Sequence, residues 1–445
     1  MKRIWAFCLA LALFLPAVAL GEKADSFPAF FKVTYSVDER EIHSGRGFVS
    51  KDVVKTFLPQ VDAEINGLAD AFDDNMAETL KNSTNPRRNS RLDIHVVHTR
   101  SGESALSFLV LARESYNRKQ LRSPFSTRVF DMATGEPILL TDLFDENSEA
   151  WEIIADTVYN ELDAYFPKQT ADSETLNALC AREALIETPF MLGPVCLTLH
   201  YEASVLYPNQ PTLMKVSVPY YLLRDYMTEY GLRQTDNSNY KMVALTFDDG
   251  PAYSTTATLL NNLRQYGAQA TFFLVGNRID EFTDIVMREN DENHSLQSHH
   301  WVHTDTSKST IPRIQAYTEK FYDKLTETVG TGPLMLRAPY GIFDYFIKAK
   351  VNLPLIEWDV DTKDWTGKSS ANVMSVVKSE TKDGSIILMH DIKDNTPESA
   401  RQAAQWLYEH GYMCVTVEDM FIMFRQEMVP NKIYYSADPN WAEKE

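Results

Sequence analysis

The rhythm of apolar and polar positions changes near residue 235. Ahead of it, period-two alternation marks short strands over 31–36, 92–97, 105–112, 126–132, 197–201 and 214–218. Phe57, Val61, Ile65, Leu68 and Phe72 recur at helical spacing and predict one long helix over 53–80. A second helix is expected from about 149 to 166, after a turn at 131–136. This mixture predicts an α+β unit, an antiparallel sheet with helices to one side.

A polar run, Gln234 to Asn239, interrupts the pattern. Beyond it strands and helices alternate. Strands are expected over 242–247, 268–275, 294–298, 333–337, 353–359, 385–389 and 413–417, with helices over 254–266, 280–289, 309–329, 398–410 and 418–425. Alternating β and α with apolar strands predicts a parallel sheet. The seven strand candidates are one short of a complete (β/α)₈ barrel. In a barrel or an open sheet the site lies at the carboxyl ends of the strands. Asp248-Asp249, His299 to His303, Arg337, Asp361 to Asp364 and His390 all fall at such ends.

Composition adds boundaries. At 445 residues two domains are expected, over 22–235 and 236–430, with a short tail over 431–445. A formal charge of −19 argues against nucleic acid or an anionic bilayer as partner. It does not argue against a wall polymer recognised by hydrogen bonds and stacking. Residues 1–21 read as an export signal: Lys2 and Arg3, an apolar run from Ile4 to Leu15, Pro16, then small residues to Gly21. A retained anchor is the alternative, and either places the body outside the cytoplasm, secreted, periplasmic or anchored at the envelope. Of four cysteines, Cys8 lies in the signal, Cys180 and Cys196 are near enough in sequence to close a loop, and Cys414 reads as a buried free thiol.

One aspartate and two histidines at i and i+4 form a ligand set of the kind a catalytic Zn²⁺ uses, with a position left for water. The adjacent aspartate is then free as a base. Each piece has an ordinary alternative. Asp-Asp-Gly-Pro is turn material, the histidine pair could lie on a surface or in the core, and Arg337 could simply pair with an acid. Their joint position at successive strand ends favours one shared site.

Five motifs stand in order: Thr246-Phe247-Asp248-Asp249-Gly250-Pro251, His299-His300-Trp301-Val302-His303, Arg337-Ala338-Pro339-Tyr340, Asp361-Thr362-Lys363-Asp364-Trp365 and Leu388-Met389-His390. With the strand Ala270 to Gly276, they resemble the polysaccharide deacetylases, carbohydrate esterase family four, over about residues 240–428. The resemblance implies a distorted (β/α) barrel of seven strands. It implies Asp249, His299 and His303 as metal ligands, and Asp248 as the base that activates a metal-bound water. It implies His390 as the acid that protonates the departing amine, Arg337 as the partner of Asp248, and Asp364 as the partner of His390, with Asp361 as fallback. The backbone N–H of Tyr340 would help hold the oxyanion, and Trp365 and Leu388 would receive the acetyl methyl group. Zn²⁺ suits the ligand set best, with Co²⁺ or Mn²⁺ able to fill it. His300 and Thr304 depart from the residues usual in the family, which bears on local loop shape rather than on the ligands.

The segment from Thr127 to Phe144, with Leu197 to Tyr201 and Val216 to Leu223, resembles an extracytoplasmic domain of anti-sigma-factor proteins, some of which bind lysozyme. Such domains also precede deacetylase domains in cell-wall enzymes. Two roles follow from that resemblance: positioning the catalytic domain, or binding lysozyme or a wall polymer. His43, His95, His98 and His200 read as structural or surface residues. The expectation is an exported metal-dependent N-deacetylase of N-acetylhexosamine polymers, peptidoglycan ahead of chitin. The alternatives are a chitooligosaccharide or O-acetyl deacetylase, and a non-enzymatic lysozyme-binding envelope receptor.

Overall fold

The computed structural model describes residues 31–42, 47–82 and 90–440; the signal expected over 1–21 and His43 lie outside them. Among the described residues no helix is long and apolar enough to cross a membrane.

In the amino-terminal half, β1 (Thr34–Ile42) and β2 (Gly47–Lys55) pair antiparallel. The helix Pro59–Asn82 then carries the chain back, so that β3 (Ser90–Ser101) lies parallel to β2. The expected antiparallel sheet therefore contains one parallel pair, which a helical crossover makes possible. β4 (Ala105–Tyr116), β5 (Lys119–Arg122), β6 (Phe125–Asp131) and β7 (Glu136–Pro137) extend it by antiparallel pairing. Val61, Ile65 and Ala69 of the helix pack on Leu92, Ile94, Val96 and Val110.

The helix begins later than its apolar spacing predicts. Val53 belongs to β2, where it pairs with Ser36 of β1, and Phe57 lies half exposed in the connection. Pro59 opens the helix, where its missing N–H costs nothing. The Asp62 carboxylate accepts the Thr56 N–H at 2.6 Å and fixes the entry.

A second antiparallel sheet, β8 (Phe190–Leu192), β9 (Cys196–Glu202) and β10 (Leu213–Pro219), packs on the helix Ala150–Ala164 through Ile154, Val158, Leu197, Leu199, Met214 and Val216. Cys180 and Cys196 are free thiols, so they close no loop; Cys414 is free and buried. Cys196 Sγ faces Asp419 at 3.9 Å instead.

Within the polar run at 234–239, Gln234, Thr235 and Asn237 are buried and join the two halves. Asn237 donates to Ser101 Oγ at 3.0 Å and to the Pro194 carbonyl at 2.9 Å, and its own carbonyl accepts the Gly102 N–H at 2.9 Å.

The carboxy-terminal half is a ring of parallel segments. β11 (Lys241–Asp248), β12 (Ala270–Leu274) and β13 (Ser295–Ser298) are consecutive neighbours. Single bridges link Ser298 to Leu336 and Leu336 to Leu355. β14 (Leu355–Ile356) and β15 (Val360–Asp361) follow along one stretch, and β15 pairs with β16 (Ser385–His390), which returns to β11. β17 (Tyr412–Cys414) pairs with the start of β11.

Two expected strands are thus irregular. The one over 333–337 is reduced to the bridge at Leu336, and the one over 353–359 is broken around Glu357. The cause is Arg337, whose guanidinium donates to the carbonyls of Ile356 and Glu357 at 3.1 and 3.0 Å and takes them from the ladder. The tail expected from residue 431 is, through residue 440, part of the ring. β18 (Ile433–Tyr434) pairs with β14, and the Ala437 N–H donates to the Gly384 carbonyl at 2.9 Å, covering an otherwise open edge.

Alternation along β11 divides its side chains. Val243, Leu245 and Phe247 pack on outer helices with Leu259, Leu263, Ala403 and Leu407. Met242 and Ala244 face inward with Phe273, Met335, Ile356 and Ile386. Continued to the strand end, that inward face delivers Thr246 and Asp248.

Candidate active site

Asp248 ends β11 directly beside His390, which ends β16. By alternation Thr246 and Asp248 share a face with Leu388 and His390. An extended strand would send Asp249 the opposite way. Instead Asp249 adopts φ 77, a left-handed turn that Asp tolerates better than most residues, and both aspartates reach the site. Gly250 follows because a Cβ there would stand 2.1 Å from Asp391 Oδ2.

His299 follows β13, with its N–H on the Leu274 carbonyl at 2.8 Å. Its Nδ1 donates to the Arg337 carbonyl at 2.9 Å, which turns Nε2 toward the aspartates. That Nε2 stands 3.5 Å from Asp249 Oδ1, and His303 Nε2 stands 3.2 Å from the same oxygen. Asp249 Oδ1 is buried without a hydrogen-bond donor. Burial alone would raise the Asp249 carboxyl, but the imidazoles of His299, His303 and His390 outweigh it and bring it to about 2. Burial lowers His303 against the opposing charge of Asp249.

Among the described residues, Asp249, His299 and His303 are the group whose ligand atoms all lie within 4.8 Å of one another. Ligand atoms 2.0–2.1 Å from a tetrahedral Zn²⁺ stand roughly 3.3 Å apart. The donor set and its spacing fit a divalent cation. His300 takes no part: at φ 67 its ring turns into the core against Tyr317 and Phe346, and burial lowers it to about 4.

Arg337 is fully buried. It donates to Asp248 Oδ1 at 2.8 Å and to Thr246 Oγ1 at 2.7 Å, and its guanidinium lies 4.1 Å over the Phe273 ring. Asp248 Oδ2 is left toward the triad, 3.9 Å from His299 Nε2.

On the other side, His390 Nδ1 donates to Asp364 Oδ1 at 2.9 Å. Asp364 also accepts the His390 N–H at 2.7 Å, the Trp365 N–H at 2.9 Å and the Thr396 hydroxyl at 2.6 Å. Burial works against a charged His390, but the bond to Asp364 and the charges of Asp248, Asp364 and Asp249 prevail and raise its pKa. Asp361, the fallback partner, accepts the Lys363 N–H in its own turn at 2.9 Å, while Asp364 takes the imidazole. Leu388 is buried, whereas Trp365 is 53% exposed, so the pair makes a floor and an open rim rather than a closed slot. Tyr340 is 64% exposed at φ 60, its ring 4.4 Å from that of His303.

Four supporting residues escaped the sequence reading. Thr246 was legible through its same-face position two residues before Asp248. Thr396 stands at the helix start marked by Asn395-Thr396-Pro397. Glu357 is buried beside Arg337 and raised by that burial to about 7. Asp391 is buried under the Gly250 turn, raised chiefly by burial to about 7, and accepts the Thr256 hydroxyl at 2.5 Å. Neither carboxylate has a local signal, because each depends on a neighbour distant in sequence.

The polysaccharide deacetylase family model matches residues 235–353. A peptidoglycan-N-acetylglucosamine deacetylase of Listeria monocytogenes is 34% identical over 181 residues, covering 41% of this chain and 39% of that protein. A peptidoglycan-N-acetylmuramic acid deacetylase of Bacillus subtilis is 29% identical over 187 residues, covering 42% and 40%. The chain thus spans about two fifths of the length of these curated relatives. A peptidoglycan-N-acetylglucosamine deacetylase of Bacillus cereus is 30% identical over 194 residues, covering 41% of this chain and 89% of that protein. By that near-complete match to a relative, the chain belongs to the polysaccharide deacetylase family.

Proposed function

We propose that the chain is a metal-dependent N-deacetylase of N-acetylhexosamine polymers, with peptidoglycan as the preferred substrate. One observation carries the reading: two adjacent aspartates at one strand end have different partners, Asp248 with Arg337 and Asp249 with the Nε2 atoms of His299 and His303. A divalent cation held by Asp249, His299 and His303 would supply Lewis acidity at the acetyl carbonyl and make water a nucleophile near neutral pH.

Asp248 takes a proton from the attacking water at Oδ2, since Arg337 occupies Oδ1. The water oxygen bonds to the acetyl carbon and gives a tetrahedral centre. The backbone N–H of Tyr340 donates to its oxyanion. His390 gives the proton on Nε2 to the amide nitrogen as the C–N bond breaks, and acetate and a free amine leave. Asp364 keeps the His390 ring in the orientation and charge state that this transfer needs. Leu388 and Trp365 receive the methyl group. Histidine and carboxylate ligands suit Zn²⁺ best, with Co²⁺ or Mn²⁺ next. The wall substrates named for the three relatives support peptidoglycan and an extracytoplasmic location.

The test is acetate release from peptidoglycan, chitin oligomers and O-acetylated glycans, with chelator and then with added Zn²⁺, Co²⁺ or Mn²⁺. Metal-dependent release, fastest from peptidoglycan, is expected. Undiminished release after chelation contradicts the metal assignment, and release from O-acetyl substrates alone contradicts the amide assignment.

A further inference from the structure

The amino-terminal sheet is apolar on the face that meets the helix; its other face is apolar at Val97, Leu109 and Leu111 and turns polar toward the opposite end of β3 and β4. Leu92, Ile94 and Val96 face the helix Pro59–Asn82. The register sets Glu39 beside Ser50, Ser50 beside Asp93 and Asp93 beside Arg113, a continuous row across β1, β2, β3 and β4. Arg91 and Ser115 form the next row. A sheet face covered by another layer is ordinarily apolar. This one looks across a cavity of 790 Å³ at Tyr253, Asn261, Arg264 and Arg288 of the carboxy-terminal half. Cavities of roughly 300–1,000 Å³ between folded units are where ligands bind most often.

The lining is cationic in a chain of net charge −19. It carries five arginines, 91, 113, 118, 264 and 288, against Glu39, Asp93 and Asp284. Asp93 is already engaged by Arg91 at 2.7 Å. Arg264 and Arg288 pair with Asp52 at 2.8 Å and Glu292 at 2.6 Å, neither of which lines the cavity, and within the lining Arg264 meets His95 Nδ1 at 2.5 Å and Arg288 donates to Asn261 Oδ1 at 2.7 Å. Arg264 Nε is buried without an acceptor. Arg113 donates to Gln120 Oε1 and to the Asp284 carbonyl, and Asp291 lies 3.9 Å from it. Arg118, at the hairpin tip after β4, lies with its guanidinium 4.1 Å over the Tyr253 ring. Tyr253 is four residues beyond Asp249, so the cavity edge lies at most about 14 Å along the chain from the ligand set.

We propose that this cavity is a second polymer-binding site, which takes a carboxylate-bearing segment of the substrate beside the sugar being deacetylated. Guanidinium forks match carboxylates in pairs, and the amide and hydroxyl side chains suit a peptide or glycan backbone. The identification of the segment as the peptide stem of peptidoglycan rests on the function proposed above. Peptide-free N-acetylglucosamine oligomers have no carboxylate to place there.

The experiment uses the full chain and two exposed substitutions, Arg118→Gln and Glu39→Gln. Binding of a glycan–peptide fragment is measured by calorimetry, beside acetate release from that fragment and from a peptide-free oligomer. Arg118→Gln is expected to weaken fragment binding by about tenfold and raise its KM, with kcat and the peptide-free oligomer unchanged. Glu39→Gln is expected to act in the opposite direction, by about twofold to threefold. No change in fragment binding with either variant overturns the proposal, as does an equal change for both substrates. Competition by inorganic phosphate at a matching affinity would assign the cavity to phosphate and overturn the carboxylate. If the wild type deacetylates neither glycan, the proposed function fails, and the calorimetry still decides for or against the cavity.

Discussion

The two sides of the site differ in what the fold leaves unsatisfied. On the acid side, the Asp364 carboxylate accepts four hydrogen bonds and His390 is locked through Nδ1. On the ligand side, a buried carboxylate oxygen without a hydrogen-bond donor faces the Nε2 atoms of two imidazoles. Unpaired buried polar atoms are expensive. The first arrangement is complete as folded, and the second has the donor set and spacing of a cation site. On the proposed function, the chain builds its acid from its own hydrogen bonds and leaves its electrophile to be loaded.

The largest effect should come from the unfinished side. His303→Ala, or chelation of the wild type, should reduce acetate release by roughly a thousandfold or more, since the cation supplies several kcal/mol. The wild type should also gain thermal stability when loaded, about 2.7 kcal/mol at a cation concentration 100 times Kd. A melting curve indifferent to cations would remove the contrast between the two sides.

Next comes the base. Arg337→Met leaves Asp248 buried and unpaired, which should cost about 3–5 kcal/mol in stability as well as activity. Denaturant midpoints separate this from Asp248→Asn, which should lower the rate while keeping most of the fold.

The acid side responds more gently and in pH. Asp364→Asn should slow acetate release by about 10- to 100-fold. His390 must carry its proton to act, so activity falls as pH rises through its raised pKa. Without the carboxylate that value drops, and the alkaline limb of the rate profile should move to lower pH. A limb that stays in place would show that another group sets it. Asp361→Asn should be the mildest, within about twofold, because Asp361 bonds only its own turn.

How much of this was legible in the chain follows the range of the interactions. β11 and β16 declare themselves by local apolar character, and their end residues enter the site through strand alternation alone. The chemistry at 248, 249, 299, 303 and 390 is carried by residue types at strand ends. Arg337 was visible as a residue but not as the cause of the broken strand around Glu357, because its carbonyl partners lie 19 and 20 residues away. Val53 and Phe57 shared the helical spacing of 61–72, yet pairing with β1 holds Val53 in β2, and Phe57 falls in the connection before Pro59 opens the helix. The polar run at 234–239 read as a break, yet Gln234 and Asn237 are buried, because their side chains bond segments that only the fold brings near.

The central claim is that Asp249 holds the cation while Asp248 moves the proton. The measurement that tests it most directly pairs cation stoichiometry with acetate release for Asp248→Asn. The account predicts one cation per chain, bound as in the wild type, and acetate release about 10²- to 10⁴-fold slower. An Asp248→Asn protein that releases acetate at the wild-type rate, or that no longer binds the cation, would contradict it.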